Sequence, residues 1–337
     1  MTDYYRPIAQ VDAARPENAH RLVGAWGWFT EVEVLSRSQP PRIMAAADVD
    51  SVHLRPLMEP RVPIAGISMD RPRVMGIINV TPDSFSDGGK HSSIEAAVAG
   101  SLNMKDADIL DVGGESTRPG ASFVSEDEEI ARTVPVIKAL RTAGITTPIS
   151  IDTRKAAVAA CALDAGANLV NDVSGFTFDP ALALLCADRS APVCVMHAQG
   201  DPATMQQDPR YDDVLLDVFD FLKHQIDMLI AKGIPKERIL ADPGIGFGKT
   251  LEHNLRLLSR LSLFHGLGVP LLLGASRKKF IGTISKTNAA HDRMPGSLAV
   301  ALAALKHGTQ IVRVHDVPET AQAIALWRAA MAGCAHG

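Results

Sequence analysis

Three cations in a row follow one apolar run, in Gly274-Ala275-Ser276-Arg277-Lys278-Lys279. Neighbouring like charges repel unless they face an anion, and a helix opening there adds free N–H donors and the positive end of its dipole. A later run, 311–314, carries Arg313 among apolar residues and is followed by His315, at a spacing that turns both side chains to one face. A solvated basic turn accounts for Lys279 but not for Arg313, whose unpaired charge would be costly in an apolar strand. These residues predict a site for an anionic, phosphorylated ligand.

A second set is acidic or amide. Asp111, Glu115, Asp152, Asn171, Asp172 and Asp242 each stand at or near the end of an apolar run. Asp111 and Asp172 are expected to tie loops or cap helices. Asp152, Asn171 and Asp242 suit the edge of a flat heterocycle with several N–H donors and a carbonyl acceptor. No Ser/His/Asp or Cys/His nucleophilic constellation accompanies them. His197, at a strand end, is as often a structural hydrogen-bonding group as a base, and no catalytic role is assigned to it. The string Pro243-Gly244-Ile245-Gly246-Phe247-Gly248-Lys249-Thr250 is no P-loop, because Pro243 stands where the first glycine is required. It reads as a glycine-rich turn that exposes Phe247.

The elements behind these residues are apolar runs at 74–79, 109–112, 149–153, 169–173, 193–197, 239–242, 271–274 and 311–314. Between them lie helix-length Ala/Leu-rich stretches such as 94–105, 155–165, 212–232 and 296–307. The repeat predicts an α/β chain folded as a (β/α)8 TIM barrel. A doubly wound open sheet would gather its functional residues at one switch point, whereas here they follow nearly every strand. The 337 residues exceed the ~250 of a typical barrel. Residues 1–71 are therefore assigned to an N-terminal extension and 72–337 to the barrel domain. Tyr4, Tyr5, Trp26, Trp28 and Phe29 all fall in that extension, and 26–35 alternates as a half-buried strand would. The extension is expected to form a β-hairpin cap over the barrel's N-terminal end, its remainder broken up by Pro40, Pro41, Pro56, Pro60 and Pro63.

Net charge is −4 with no basic stripe, so nucleic-acid binding has no electrostatic footprint. No basic-then-apolar signal pattern opens the chain, and no apolar run approaches the ~18 residues of a membrane span, so a cytoplasmic protein is expected. Cys161, Cys186, Cys194 and Cys334 lack CxxC spacing and are expected to be free thiols.

Taken together, the strings Gly76-Ile77-Ile78-Asn79-Val80-Thr81-Pro82-Asp83-Ser84-Phe85 and Asp111-Val112-Gly113-Gly114-Glu115-Ser116-Thr117-Arg118-Pro119-Gly120, with Ser150-Ile151-Asp152-Thr153, Val195-Met196-His197, 242–249, Ser276-Arg277-Lys278 and 311–316, resemble the dihydropteroate synthases. The resemblance runs in order over about residues 73–327. It implies condensation of 6-hydroxymethyl-7,8-dihydropterin pyrophosphate with p-aminobenzoate, giving 7,8-dihydropteroate and pyrophosphate in folate biosynthesis. It implies that Asp152, Asn171, Asp242 and Lys278 hold the pterin and Met196 lines its slot. Asn79, Arg313 and His315 would hold the pyrophosphate, Asn79 also as a Mg2+ ligand. Phe85, Thr117, Arg118, Pro119, Phe247 and Ser276 would build the p-aminobenzoate pocket. The groups closest to the chemistry would be Asp152, Lys278, Arg313 and His315. The resemblance also implies a homodimer and inhibition by sulfonamides. Lys279 departs from the small hydroxyl residue common in the family, and the extension is longer than usual. A pterin-binding methyltransferase and a non-catalytic pterin-binding paralogue are the alternatives, though the first needs no Arg313/His315 pair.

Overall fold

The aromatic residues near the N-terminus pack into β structure. The computed structural model describes residues 3–80, 89–116, 121, 123–200 and 204–334. Strands β1 (Asp3–Pro7), β4 (Glu31–Ser36) and β5 (Arg42–Ala45) form an antiparallel sheet in the order β1-β4-β5, and the short β2 (His20–Arg21) and β3 (Trp28–Phe29) pair beside it. Leu22, Phe29, Val32, Val34 and Leu57 bury a core of their own beneath these strands. Two expectations fail here. Pro40, Pro41, Pro60 and Pro63 do lie outside regular elements, but Pro56 does not interrupt one: Asp50 caps a helix, α1 (Ser51–Met58), that contains it. Strict alternation also fails at Glu33, which is buried. Arg6 at 2.5 Å and Arg260 at 3.2 Å neutralise it, so a charged side chain stays on an enclosed strand.

The extension is hydrogen-bonded to the rest of the chain. The Tyr4 hydroxyl donates to Asp220 at 2.8 Å, Ser262 Oγ donates to the Pro7 carbonyl at 2.8 Å, and the Trp26 indole N–H donates to the Leu305 carbonyl at 2.9 Å.

From Arg73 onward strands and helices alternate: β6 (Arg73–Asn79), α2 (Gly89–Asn103), β7 (Ile109–Gly113), α3 (Glu126–Thr142), β8 (Ile149–Asp152), α4 (Ala156–Asp164), β9 (Leu169–Asp172), α5 (Pro180–Asp188), β10 (Val193–Met196), α6 (Val214–Ala231), β11 (Ile239–Asp242), α7 (Leu251–Ser259), β12 (Leu272–Gly274), α8 (Lys279–Ser285), α9 (Met294–Lys306), β13 (Ile311–Val314) and α10 (Val317–Ala332). The eight parallel strands run in the order β11-β10-β9-β8-β7-β6-β13-β12. A parallel bridge between Ala241 and Leu271 joins the two ends, closing the barrel.

Alternation then decides what fills the barrel. Met75, Ile109, Leu169, Cys194, Leu240, Leu272 and Ile311 pack together with Ile64, Ile67 and Met69, which lie between α1 and β6. Two residues further along each strand the same face returns. There it bears Ile77, Asp111, Asn171, Met196, Asp242, Gly274 and Arg313. An apolar plug therefore carries a mostly polar floor on its side toward the strands' C-terminal ends. Among the described residues no helix is long and apolar enough to cross a membrane, and the four cysteines are free thiols.

Candidate active site

The polar floor is organised around Arg313. Its Nε donates to Asp111 at 2.5 Å and its Nη2 to Asp152 at 2.8 Å, so one guanidinium spans two carboxylates from neighbouring strands. Burial works against the Arg313 charge, but Asp111 and Asp152 outweigh it and raise its pKa. Burial pushes the Asp152 carboxyl above the usual carboxylate range, while Arg313 opposes that shift and Asp111 adds to it. Asn171 donates from its amide to Asp111 at 3.2 Å. This corrects the expected role of Asp111: it ties no loop and caps no helix. In an apolar run such as Ile109-Leu110-Asp111-Val112 both faces are buried, so alternation cannot show which way the aspartate points. The plug residue Ile109, two positions earlier, fixes it inward. Asp172 does tie a loop, accepting from Ser174 N, Ser174 Oγ and Phe176 N.

Glycines leave room above this floor. A Cβ on Gly113 would stand 3.4 Å from Asp152 Cβ, and one on Gly274 would stand 3.5 Å from Asp242 Oδ2 and 3.9 Å from Arg313 Cδ. Asp242 accepts from the backbone N–H groups of Gly244 at 2.7 Å and Gly274 at 3.3 Å, joining the loop after β11 to the end of β12. Burial raises its pKa. Lys278, the residue before α8, sends its ammonium to the Ile245 carbonyl and over the Phe247 ring, 4.2 Å from the centroid. Burial lowers its pKa to about 7, with Asp242 opposing. Phe247 is half-buried and Met196 buried.

Around this slot the strand ends place the remaining groups. Asn79 ends β6 as the register partner of Gly113. Arg313 bonds within the floor, whereas His315 lies past β13, where its ring meets Ser276 Oγ at 3.0 Å. Arg277, in the left-handed region at φ 58°, turns its guanidinium away to Asp316. Lys279 is exposed. Lys249, where a P-loop would carry its lysine, is buried instead. It donates to His197 Nδ1 at 2.8 Å and to the carbonyls of Gly244 at 2.9 Å and Phe247 at 3.0 Å. Burial, and the Lys249 charge beside it, hold His197 well below the usual imidazole range, so His197 serves the loop as a neutral acceptor.

Sequence reasoning gave Glu115 no task. Its carboxylate accepts from Arg154 at 3.1 Å, from Lys155 at 3.0 Å and from the backbone N–H of Val124 at 3.1 Å, and Lys155 continues to Glu129 at 2.5 Å. The adjacent charges of Arg154-Lys155, directly after Asp152-Thr153, are the signal that could have shown it. Phe85, Thr117, Arg118 and Pro119 lie outside the described residues.

The profile of the pterin binding enzyme family matches residues 75–315. The chain belongs to the pterin-binding enzyme family. Within that family it is 46% identical over 278 residues to the dihydropteroate synthase of Synechocystis sp., covering 80% of this chain and 96% of that one. It is 47% identical over 263 residues to the dihydropteroate synthase of Escherichia coli K12, covering 77% and 92%. Two solved structures are similar. Yersinia pestis dihydropteroate synthase with a sulfonamide drug complex aligns with a TM-score of 0.75 at 44% identity, covering 80% of this chain and 98% of that one. The Xanthomonas albilineans dihydropteroate synthase in complex with 7,8-dihydropteroate aligns with a TM-score of 0.73 at 43% identity, covering 81% and 99%. The pterin-binding family match begins at residue 75, so the extension stands outside it.

Proposed function

We infer that the protein is a dihydropteroate synthase, a transferase that condenses 6-hydroxymethyl-7,8-dihydropterin pyrophosphate with p-aminobenzoate to give 7,8-dihydropteroate and pyrophosphate. The observation that carries this reading is the shared guanidinium of Arg313, which joins a carboxylate suited to pterin N–H groups to a cation suited to a leaving anion. In this reading Asp152, Asn171 and Asp242 match the pterin's polar edge, Lys278 closes it, and Met196 lines the slot. Arg313 and His315 receive the pyrophosphate. Ser276, bonded to His315, and Phe247 border the p-aminobenzoate pocket, completed by Phe85, Thr117, Arg118 and Pro119.

The chemistry asks little of acid–base groups. Loss of pyrophosphate from a methylene on an electron-rich pterin leaves a delocalised cation, so departure can precede attack. Arg313 and His315 stabilise the departing charge and Asp152 the cation. The neutral arylamine attacks without a strong base or a covalent enzyme intermediate, and positioning supplies much of the rate.

Mg2+ fits the donors present. Asn79, the last residue of β6, would offer one neutral amide oxygen, and among the described residues no group of three or more His, Cys, Asp or Glu could hold a metal. Mg2+ keeps several waters and uses phosphate oxygens, so a single protein ligand suits it. When bound, it would neutralise pyrophosphate charge.

The extension, 1–71, serves in this reading as a cap on the barrel domain, 72–337; the packing of Ile64, Ile67 and Met69 onto the plug supports this. A cytoplasmic homodimer through barrel helices completes it, supported by the exposed apolar Leu326 and Met331 of α10. A methyltransferase reading would leave Arg313 and His315 without a leaving anion to meet. Incubation with both substrates and Mg2+, with the product identified by mass, tests the assignment. Dihydropteroate is expected, and a pterin recovered unchanged would overturn it.

A further inference from the structure

The floor of the site contains a carboxylate to which no role in the reaction has been given. Asp111 is fully enclosed, and its Oδ2 accepts both from Arg313 Nε at 2.5 Å and from Asn171 Nδ2 at 3.2 Å. Among the described residues its other oxygen, Oδ1, is buried with no hydrogen-bond partner, and so is the hydroxyl of Ser150, its register partner on β8. A half-satisfied buried carboxylate weakens a fold rather than strengthening it. Its placement therefore needs another explanation, and its two partners supply one.

Arginine has only donors, so an oxygen that receives a guanidinium N–H acts as an acceptor, and the amide that shares it must present its nitrogen. The orientation of the Asn171 side chain is thereby fixed. Its nitrogen is committed to Asp111, and its oxygen is left as the group it can offer a ligand. The same carboxylate oxygen holds the Nε edge of Arg313 and leaves the Nη groups to face outward. Asp152 occupies one of these, 2.8 Å away.

We propose that Asp111 is a positioning residue that sets two groups at once: the Asn171 amide, oxygen toward the pterin, and the Arg313 guanidinium, Nη edge toward the leaving anion. The proposal rests on the dihydropteroate synthase reading for the names of the two ligands. Asp111 touches neither of them. It acts through Asn171 on pterin affinity and through Arg313 on turnover, and these two effects are separable.

Two double-mutant cycles test it, with the affinity for 6-hydroxymethylpterin measured by calorimetry and kcat measured with both substrates. Asp111→Asn is expected to weaken pterin binding about tenfold and to lower kcat by about tenfold or more, each the size of one lost charge-assisted hydrogen bond. In an Asn171→Ala background the same substitution should change pterin affinity by less than about twofold, because the amide it orients is gone. In an Arg313→Lys background, which keeps the cation but has no Nε edge, it should change kcat by less than about twofold. Undiminished effects in both backgrounds would show a merely structural residue and overturn the proposal. Should Asp111→Asn not fold, Asp111→Ser enters the same cycles. The affinity cycle needs no turnover, so a wild-type chain that binds pterin but makes no product would refute the synthase reading while leaving the Asn171 arm decided by its own numbers.

Discussion

Arg313 and Asp152 meet at 2.8 Å on the floor of the barrel, from strands β13 and β8. The contact places the side chain assigned to the leaving anion against the one assigned to the pterin. Removal of the arginine would therefore have two effects. It would take away the anion's partner and leave two enclosed carboxylates facing one another.

Arg313→Ala should lower the rate of pyrophosphate release by about a hundred- to a thousandfold, the range for a donor aimed at developing charge. It should also destabilise the protein by about 3–5 kcal/mol, because Asp111 and Asp152 lose their shared counter-ion. Lys279→Ala, at an exposed position, should stay within about threefold of wild type in rate. Steady-state assays with urea unfolding read both quantities, and equal rate effects would mean that the anion site is misassigned.

Much of this was legible in the sequence, and the reasons are local. Asn171, Asp242 and Arg313 each stand near the C-terminal end of a barrel strand, two positions beyond the apolar Leu169, Leu240 and Ile311, so they announce themselves by type and spacing. Asp111 did not, because in a run buried on both faces alternation carries no direction. Glu33 and the Pro56 helix were hidden for another reason. One of the two partners that let Glu33 stay buried, Arg260, is 227 residues away, and the packing that retains α1 lies in the extension's own core. The contacts of Arg313 with Asp111 and Asp152, and of His315 with Ser276, likewise depend on residues contributed by β7, β8 and the turn after β12.

Glu115 should affect one substrate and not the other. It accepts from Val124 and from the Arg154-Lys155 pair, and Val124 lies beyond the stretch that carries Thr117, Arg118 and Pro119. Glu115→Gln is expected to raise KM for p-aminobenzoate about tenfold through loss of a charge-assisted bond, with KM for the pterin pyrophosphate unchanged. In the same assay sulfonamides should compete with p-aminobenzoate. A shift confined to the pterin KM would contradict this assignment.

Acid should weaken the seam between extension and barrel. His265 is enclosed, donating from its ring Nε2 to the His307 carbonyl at 2.9 Å, while its own carbonyl takes an N–H from Arg61. Burial pushes its pKa down to about 3 and that of His307 to about 4. The unfolded imidazoles bind protons from about 6.5 downward, whereas the folded ones do not until far lower. Stability is thus fully present above 6.5 and is lost as pH falls toward 4, by up to about 1.4 kcal/mol per pH unit for each histidine. Urea midpoints from pH 7.5 to 4.5 should show a shallower slope in His265→Gln than in wild type; parallel slopes would exclude the histidine.

Gly244 tolerates no side chain. It sits at φ +67°, and an added Cβ would lie 1.8 Å from the His197 carbonyl oxygen. Gly244→Ala must displace the turn that carries the N–H bonded to Asp242 and the carbonyl bonded to Lys249. Pterin affinity should fall by tenfold or more, about the loss of one such bond to a charged group, and calorimetric titration with 6-hydroxymethylpterin reads it. Wild-type affinity would show that this turn does not shape the slot.

The most direct measurement tracks pyrophosphate release from 6-hydroxymethyl-7,8-dihydropterin pyrophosphate with Mg2+, in the presence and absence of p-aminobenzoate, alongside product mass. The predicted result is sustained release only with the arylamine, one pyrophosphate for each dihydropteroate formed. Pterin that binds while no pyrophosphate is released under either condition would contradict the synthase and leave a binding protein in its place.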